Sequence, residues 1–171
     1  MKPGATLQKA AHNLLPATAY GDAAGLPVET WSAARIKAEF DEVKELLPTR
    51  YNPFYVREFE AGTWSDDTQL SLAVARAIIK ANGFDMRVIA DEHVVEYNQT
   101  PQITKPSGQC VKRGWGGSTT YAVERYIDGT PIDQCGQPDG SGNGVIMKMA
   151  PLALWLIAQE IPREEVYPLL D

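Results

Sequence analysis

The sequence predicts an all-α domain, and three observations carry that reading. Apolar residues recur at three- and four-residue spacing in several separate segments. Those segments are bounded by Ser, Asp and Asn-Gly signals of the kind that start and stop helices. Almost nowhere do apolar and polar residues alternate long enough to predict a strand. No internal repeat, low-complexity tract or linker divides the chain, so residues 1–171 are read as one multi-helix domain.

The elements follow in order. Leu7, Ala11, Leu14, Leu15 and Thr18 line one face of a first helix, which is expected to end at Gly21. Ser32 caps a short helix carrying Ile36 and Phe40. Leu47 to Phe54 is rich in Pro and aromatic residues and reads as an ordered surface loop. Asp66 and Asp67 open a helix whose inward face is Leu70, Ala73, Val74, Ala77 and Ile78, stopped by Asn82-Gly83. Asp85 caps a helix through Tyr97, with Val88, Ile89 and Val95 inward. Ser118 caps another, lined by Ala122, Val123, Tyr126 and Ile127 and ended by Gly129. Val145, Met149, Leu152 and Leu156 belong to a long helix that Pro151 must kink or border. Ile161-Pro162-Arg163-Glu164-Glu165 opens one more helix, with proline and two acids in its first turn.

Composition narrows the function. A chain of 171 residues that is 44% hydrophobic can bury a sizeable core. Its net charge of −6 argues against a nucleic-acid or anionic-membrane surface. No apolar run approaches a membrane span, and Met1-Lys2-Pro3-Gly4-Ala5 lacks a signal-peptide stretch, so the expected compartment is the cytoplasm. Cys110 and Cys135 form no CxxC pair and only His12 and His93 offer imidazole, which makes zinc a poor fit and leaves the thiols idle.

Four motifs carry chemistry. Gly62-Thr63-Trp64-Ser65-Asp66-Asp67-Thr68 puts a hydroxyl and two adjacent carboxylates at a helix start, where the positive helix end favours them ionised. Hard oxygen ligands of this kind suit Mg²⁺ or Mn²⁺, although simple capping selects the same residues. Gly21-Asp22-Ala23-Ala24-Gly25-Leu26-Pro27-Val28-Glu29 presents Asp22 at a helix end and Glu29 from a loop. Gly114-Trp115-Gly116-Gly117-Ser118-Thr119 leads into a helix starting near Ser118 and leaves backbone N–H groups free for an anion such as a pyrophosphate, an arrangement also common in plain turns. Gly140-Ser141-Gly142-Asn143-Gly144 is a second such loop, leading towards Met147, Lys148 and Met149.

Taken together and in this order, the four stretches resemble the ADP-ribosylglycohydrolase family, over about Ala11 to Leu156. The resemblance implies an Mg²⁺-dependent hydrolase (Mn²⁺ being the other candidate) that releases ADP-ribose from a modified side chain or small molecule, with arginine the first acceptor to consider. It implies that Ser65, Asp66 and Asp67 hold a cation, with Ser65 in place of the family's threonine. It makes Glu29 the acid/base residue, with Asp67 beside it in the catalytic centre, and gives Asp22 a structural part. Ser141, Gly142, Asn143 and Gly144 match the loop that takes the ADP-ribose moiety, and Gly114, Gly116, Gly117 and Ser118 join them as binding residues. Lys148 stands where the family often has arginine.

Family members carry a second Asp-rich motif that completes a two-metal site. None follows here, so the chain reads either as an N-terminal portion truncated at the C-terminus or as a natural variant lacking half of the metal ligands, and whether it is active alone is left open. An inert ADP-ribose binder or structural relative is the alternative, and a metal-dependent phosphohydrolase, which would release phosphate instead of intact ADP-ribose, is a third class. A missing C-terminal half also predicts an uncovered Leu152 and Leu156 face and self-association through it.

Overall fold

The computed structural model describes residues 3–49, 59–105, 107–140 and 142–170. Among them the chain is all-α, as expected: α1 (Pro3–Gly25), α2 (Ala33–Phe40), α3 (Asp66–Ala81), α4 (Met86–Gln99), α5 (Gly117–Ile127), α6 (Ala150–Ala158) and α7 (Arg163–Leu170). A two-stranded antiparallel hairpin, β1 (Gln102–Thr104) and β2 (Cys110–Lys112), interrupts them, with Ile103 opposite Val111. Each strand is three residues long, too short for alternation to show in the sequence. No helix among the described residues is long and apolar enough to cross a membrane.

α3 is the centre of the fold and the best-read element. Leu70, Ala73, Val74, Ala77 and Ile78 are all buried, and Asn82 ends the helix in the left-handed conformation at φ 51°. α1, α4 and α6 surround it. Towards its N-terminal half Leu70 packs with Trp115 and Val123; towards its C-terminal half Val74 and Ile78 pack with Leu152, flanked by Ile89, Trp155 and Leu156. The indole N–H of Trp115 donates to Gln69 Oε1 at 3.2 Å, and its ring meets Tyr97 edge-on. That buried tryptophan pins the loop before α5 onto α3.

Several boundaries and faces differ from the sequence reading. α1 runs through Gly21 to Gly25, so Asp22 lies inside the helix and not at its end. α5 is capped by Gly116 without any side-chain bond, and Ser118 sits one residue inside the helix. The long helix expected from Val145 is broken: Ile146–Lys148 is a 3-10 turn, and α6 begins only at Ala150 with Pro151 in its first turn, where its missing N–H is harmless. Val95 and Ile127, expected inward, are 40% and 49% exposed. Leu152, expected to be uncovered, is 4% exposed because α6 lays it against Val74 and Ile78, and Leu156 packs beside the same cluster. Ser32 and Asp85 do cap α2 and α4, each accepting from the first turn. In the proline- and aromatic-rich loop, Arg50 to Phe54 lie outside the described residues. Cys110 is exposed, Cys135 is buried, and they are not bonded to each other.

The inward face of α4 is polar. Glu92 and Glu96 are buried and both engage Arg76 of α3; Glu92 also meets Lys80 at 3.4 Å. Arg76 is therefore what allows two carboxylates to sit between helices. Arg76→Ala should lower unfolding free energy by about 3 kcal/mol in urea titrations, since it strands both acids. Exchanging all three residues for neutral ones of similar size should return most of that loss.

Candidate functional site

The first turn of α3 is held from α1. Asp22 Oδ2 accepts hydrogen bonds from the backbone N–H groups of Ser65 (2.8 Å) and Thr68 (3.1 Å) and from the Thr68 hydroxyl (2.6 Å), while Oδ1 accepts from Ser65 Oγ (2.8 Å). The N-cap of α3 is thus supplied by another helix, and its own cap residue makes no capping bond. This frees Asp66 and Asp67 from capping, so the plain reading of the Ser-Asp-Asp motif does not account for them.

Both carboxyls are raised above the ordinary carboxylate value. Burial, then the neighbouring charge of Asp67 and more weakly Asp22, push the Asp66 carboxyl up to about 7, with the Gly116 N–H partly opposing. Burial and the charge of Asp22 also raise Asp67, whose Oδ2 lies 3.5 Å from Ser65 Oγ. A buried and a half-buried carboxylate beside a hydroxyl, neither ion-paired with a described basic side chain, form a donor set that fits a hard divalent cation. Among the described residues no group of three or more His, Cys, Asp or Glu is arranged to hold a metal, so these would be part of a ligand set.

A cleft of about 460 Å³ opens beside this turn, lined by Glu29, Asp66 and Asp67 together with residues of both glycine-rich stretches. Glu29 is brought there by the buried 3-10 turn Leu26–Val28 that follows α1. Gly114, Gly116, Gly117, Ser118, Gly142, Asn143 and Gly144, all expected in the site, line this cleft; Ser65 lines an adjoining hollow with Asp22 and Glu29. Ser141 lies outside the described residues. Trp64 is 42% exposed and does not staple onto the core.

The glycines divide by what surrounds them. Gly114 has φ +78°, and a Cβ there would stand 2.7 Å from the Ser65 Cβ and 3.0 Å from Asp66 Oδ1. At Gly140 and Gly144 a Cβ would stand 2.8 Å from Ser118 Oγ and 2.9 Å from Thr119 Oγ1, so the second loop lies directly on the first turn of α5. Gly116, Gly117 and Gly142 have nothing within 4 Å of that position. The first set packs the site together; the second leaves room for a ligand to approach the backbone. The sequence reading missed Gln137 as a lining residue, and it gave no binding role to Thr119, at the end of the first glycine-rich motif, or to Lys148, at the family's arginine position. The pairing of the two loops across α5 is a long-range contact that local sequence does not show.

With that geometry in hand, the comparisons are specific. Residues 3–169 match the ADP-ribosylglycohydrolase family, and the chain belongs to it. It is 27% identical over 146 residues to an ADP-ribosylarginine hydrolase of Serratia proteamaculans, covering 85% of this chain and 36% of that protein. A second ADP-ribosylarginine hydrolase, from Pseudomonas putida, is 28% identical over 156 residues, covering 91% and 38%. The uncharacterized protein YegU of Escherichia coli is 25% identical over 143 residues, covering 84% and 41%. The chain therefore spans about two-fifths of the length of the curated relatives it matches.

Gly114→Ala should lower the melting temperature clearly, by about 2 kcal/mol or more in stability, because it combines a strained φ with a clash against Ser65. Gly117→Ala should leave it nearly unchanged, and paired thermal melts separate the two. A second expectation concerns pH. The folded Asp66 carboxyl binds its proton more tightly than the unfolded one, from 3.8 up to about 7. Its contribution to stability is therefore present below about pH 4 and lost as pH rises to 7. In chelator, Asp66→Asn should raise stability at pH 8 by about 3 kcal/mol and make little difference at pH 4. Equal effects at both pH values would show that burial does not perturb this group.

Proposed function

Because the chain belongs to that family, we propose that it carries the Glu29 and first-carboxylate half of a hydrolase that cleaves the glycosidic bond of ADP-ribosyl compounds and releases ADP-ribose. One observation supports this most: Glu29, Asp66, Asp67 and two glycine-rich loops, scattered over more than a hundred residues of sequence, share a single cleft. The ADP-ribosylarginine hydrolases among the relatives make ADP-ribosylated arginine the first substrate to consider, with other N- or O-linked ADP-ribosyl acceptors behind it.

The chemistry follows from which groups face the cleft. Backbone N–H groups at the start of α5 and around Gly142 to Gly144 are the donors for the diphosphate, and the open space at Gly116, Gly117 and Gly142 admits it closely. The ribose C1″ carbon is then presented towards Glu29. There, the oxygen of a water forms a bond to C1″ while the bond from C1″ to the acceptor nitrogen breaks. Glu29 takes one proton of that water, and the departing nitrogen takes up a proton. Mg²⁺ (or Mn²⁺) held by Ser65, Asp66 and Asp67 would supply Lewis-acid polarisation and charge neutralisation at this end of the cleft. Asp67, half-buried with its Oδ2 3.5 Å from Ser65 Oγ, stands with Glu29 in the catalytic centre, and Asp22 fixes the turn that carries Ser65, Asp66 and Asp67. The family's second acidic cluster would have to come from outside these 171 residues.

The alternative, an ADP-ribose binder without turnover, follows from the same cleft when that second cluster is missing. The test is ADP-ribose release from ADP-ribosyl-arginine with Mg²⁺, using the full gene product that contains this chain. Glu29→Gln should reduce release by roughly a hundredfold or more with little change in ADP-ribose affinity. Asp66→Ala/Asp67→Ala should abolish it. Release that is indifferent to all three substitutions would contradict the proposal, and binding without release in the wild type would favour the inert binder.

A further inference from the structure

Lys148 is the only lysine or arginine lining the glycine-loop cleft among the described residues. It stands at the end of the 3-10 turn Ile146–Lys148, which is tied to α3 by the Ser71 hydroxyl donating to the Met147 carbonyl at 3.2 Å. Its ammonium is largely shielded from solvent and feels the Asp66 charge, yet it makes no salt bridge with a described carboxylate. Its hydrogen-bond partner is His93, whose Nε2 lies 3.0 Å away. His93 is itself 5% exposed on α4, and its Nδ1 lies 2.7 Å from the Ile89 carbonyl oxygen. A carbonyl can only accept, so Nδ1 carries the proton and Nε2 is left as an acceptor pointing at the lysine. Burial and the Lys148 charge hold the His93 pKa at about 4, so the ring is neutral at working pH. The remaining N–H bonds of the lysine have no acceptor among the described residues and can be spent on the cleft.

We infer that Lys148, braced from behind by neutral His93, is the cation that receives the diphosphate of a ligand bound between the two glycine-rich loops. His93 is a positioning residue: it does not line the cleft, and its Nε2 fixes where the lysine ammonium can stand. The geometry has a second consequence. A diphosphate beside Asp66 and Asp67 would be repelled by them, and Lys148 is the one positive side chain among the described lining residues that can offset this. The inference rests on the preceding reading for the identity of the ligand, but not for its anionic character.

The test is calorimetric titration of ADP-ribose and, separately, inorganic pyrophosphate into the protein in EDTA, with thermal melts of every variant. Lys148→Met should weaken ADP-ribose binding roughly tenfold or more and flatten its dependence on ionic strength. Lys148→Arg should stay within about threefold of wild type. His93→Leu should weaken binding about three- to tenfold with the melt retained, and His93→Gln, whose carbonyl oxygen can still accept, should restore it. A merely structural histidine would not show that rescue. Lys148→Met or His93→Leu binding ADP-ribose like wild type would overturn the inference while leaving the glycohydrolase reading intact. Lys148-dependent binding of pyrophosphate with no binding of ADP-ribose would support the inference and sink that reading. Wild type binding neither probe would overturn both.

Discussion

The Asp22 carboxylate gathers four hydrogen bonds from Ser65 and Thr68, and the rest of the site is built around that junction. A helix N-terminus has orphan N–H groups that some acceptor must meet. Here the acceptor comes from α1, which locks two helices at a fixed angle and leaves the acids of the first α3 turn without a capping duty. Asp66 is then buried next to Asp67 and within reach of Asp22, an arrangement that raises its proton affinity and destabilises the fold at neutral pH. Such a cluster is unfavourable for stability and marks a candidate functional site.

The loops answer the same constraint. Gly114 passes so close to Ser65 and Asp66 that no side chain fits, which brings the start of α5 against the acidic turn. Gly140 and Gly144 pass equally close to Ser118 and Thr119, which sets the second loop on the first. What remains between acids and loops is a cleft that combines open backbone at Gly116, Gly117 and Gly142 with the carboxylates of Glu29, Asp66 and Asp67. The proposed ligand, with a diphosphate and a glycosidic carbon a few bonds apart, has one group for each of these.

The sequence made some of this plain. α3 was readable because its five inward residues are all apolar and its ends carry strong signals, and the motifs that define the cleft are local runs. The errors have a common cause in tertiary contacts. α1 continues past Gly21 because Asp22 is needed on the helix to reach Ser65 and Thr68. The inward face of α4 is Glu92, His93 and Glu96, which apolar periodicity cannot find, since their partners Arg76 and Lys148 lie on other elements. Val95 was assigned inward only because it is apolar. The break before α6 turns on the Pro151 first turn, where a proline ends one reading of the helix and begins another.

The most direct test of the central claim is a crystal structure of the chain grown with ADP-ribose and Mn²⁺, with anomalous data locating the metal. The account predicts the diphosphate between the Gly114–Ser118 and Gly140–Gly144 stretches, the ribose C1″ carbon facing Glu29, and an anomalous peak at Asp66 and Asp67. ADP-ribose bound elsewhere, or manganese bound away from that carboxylate pair, would contradict it.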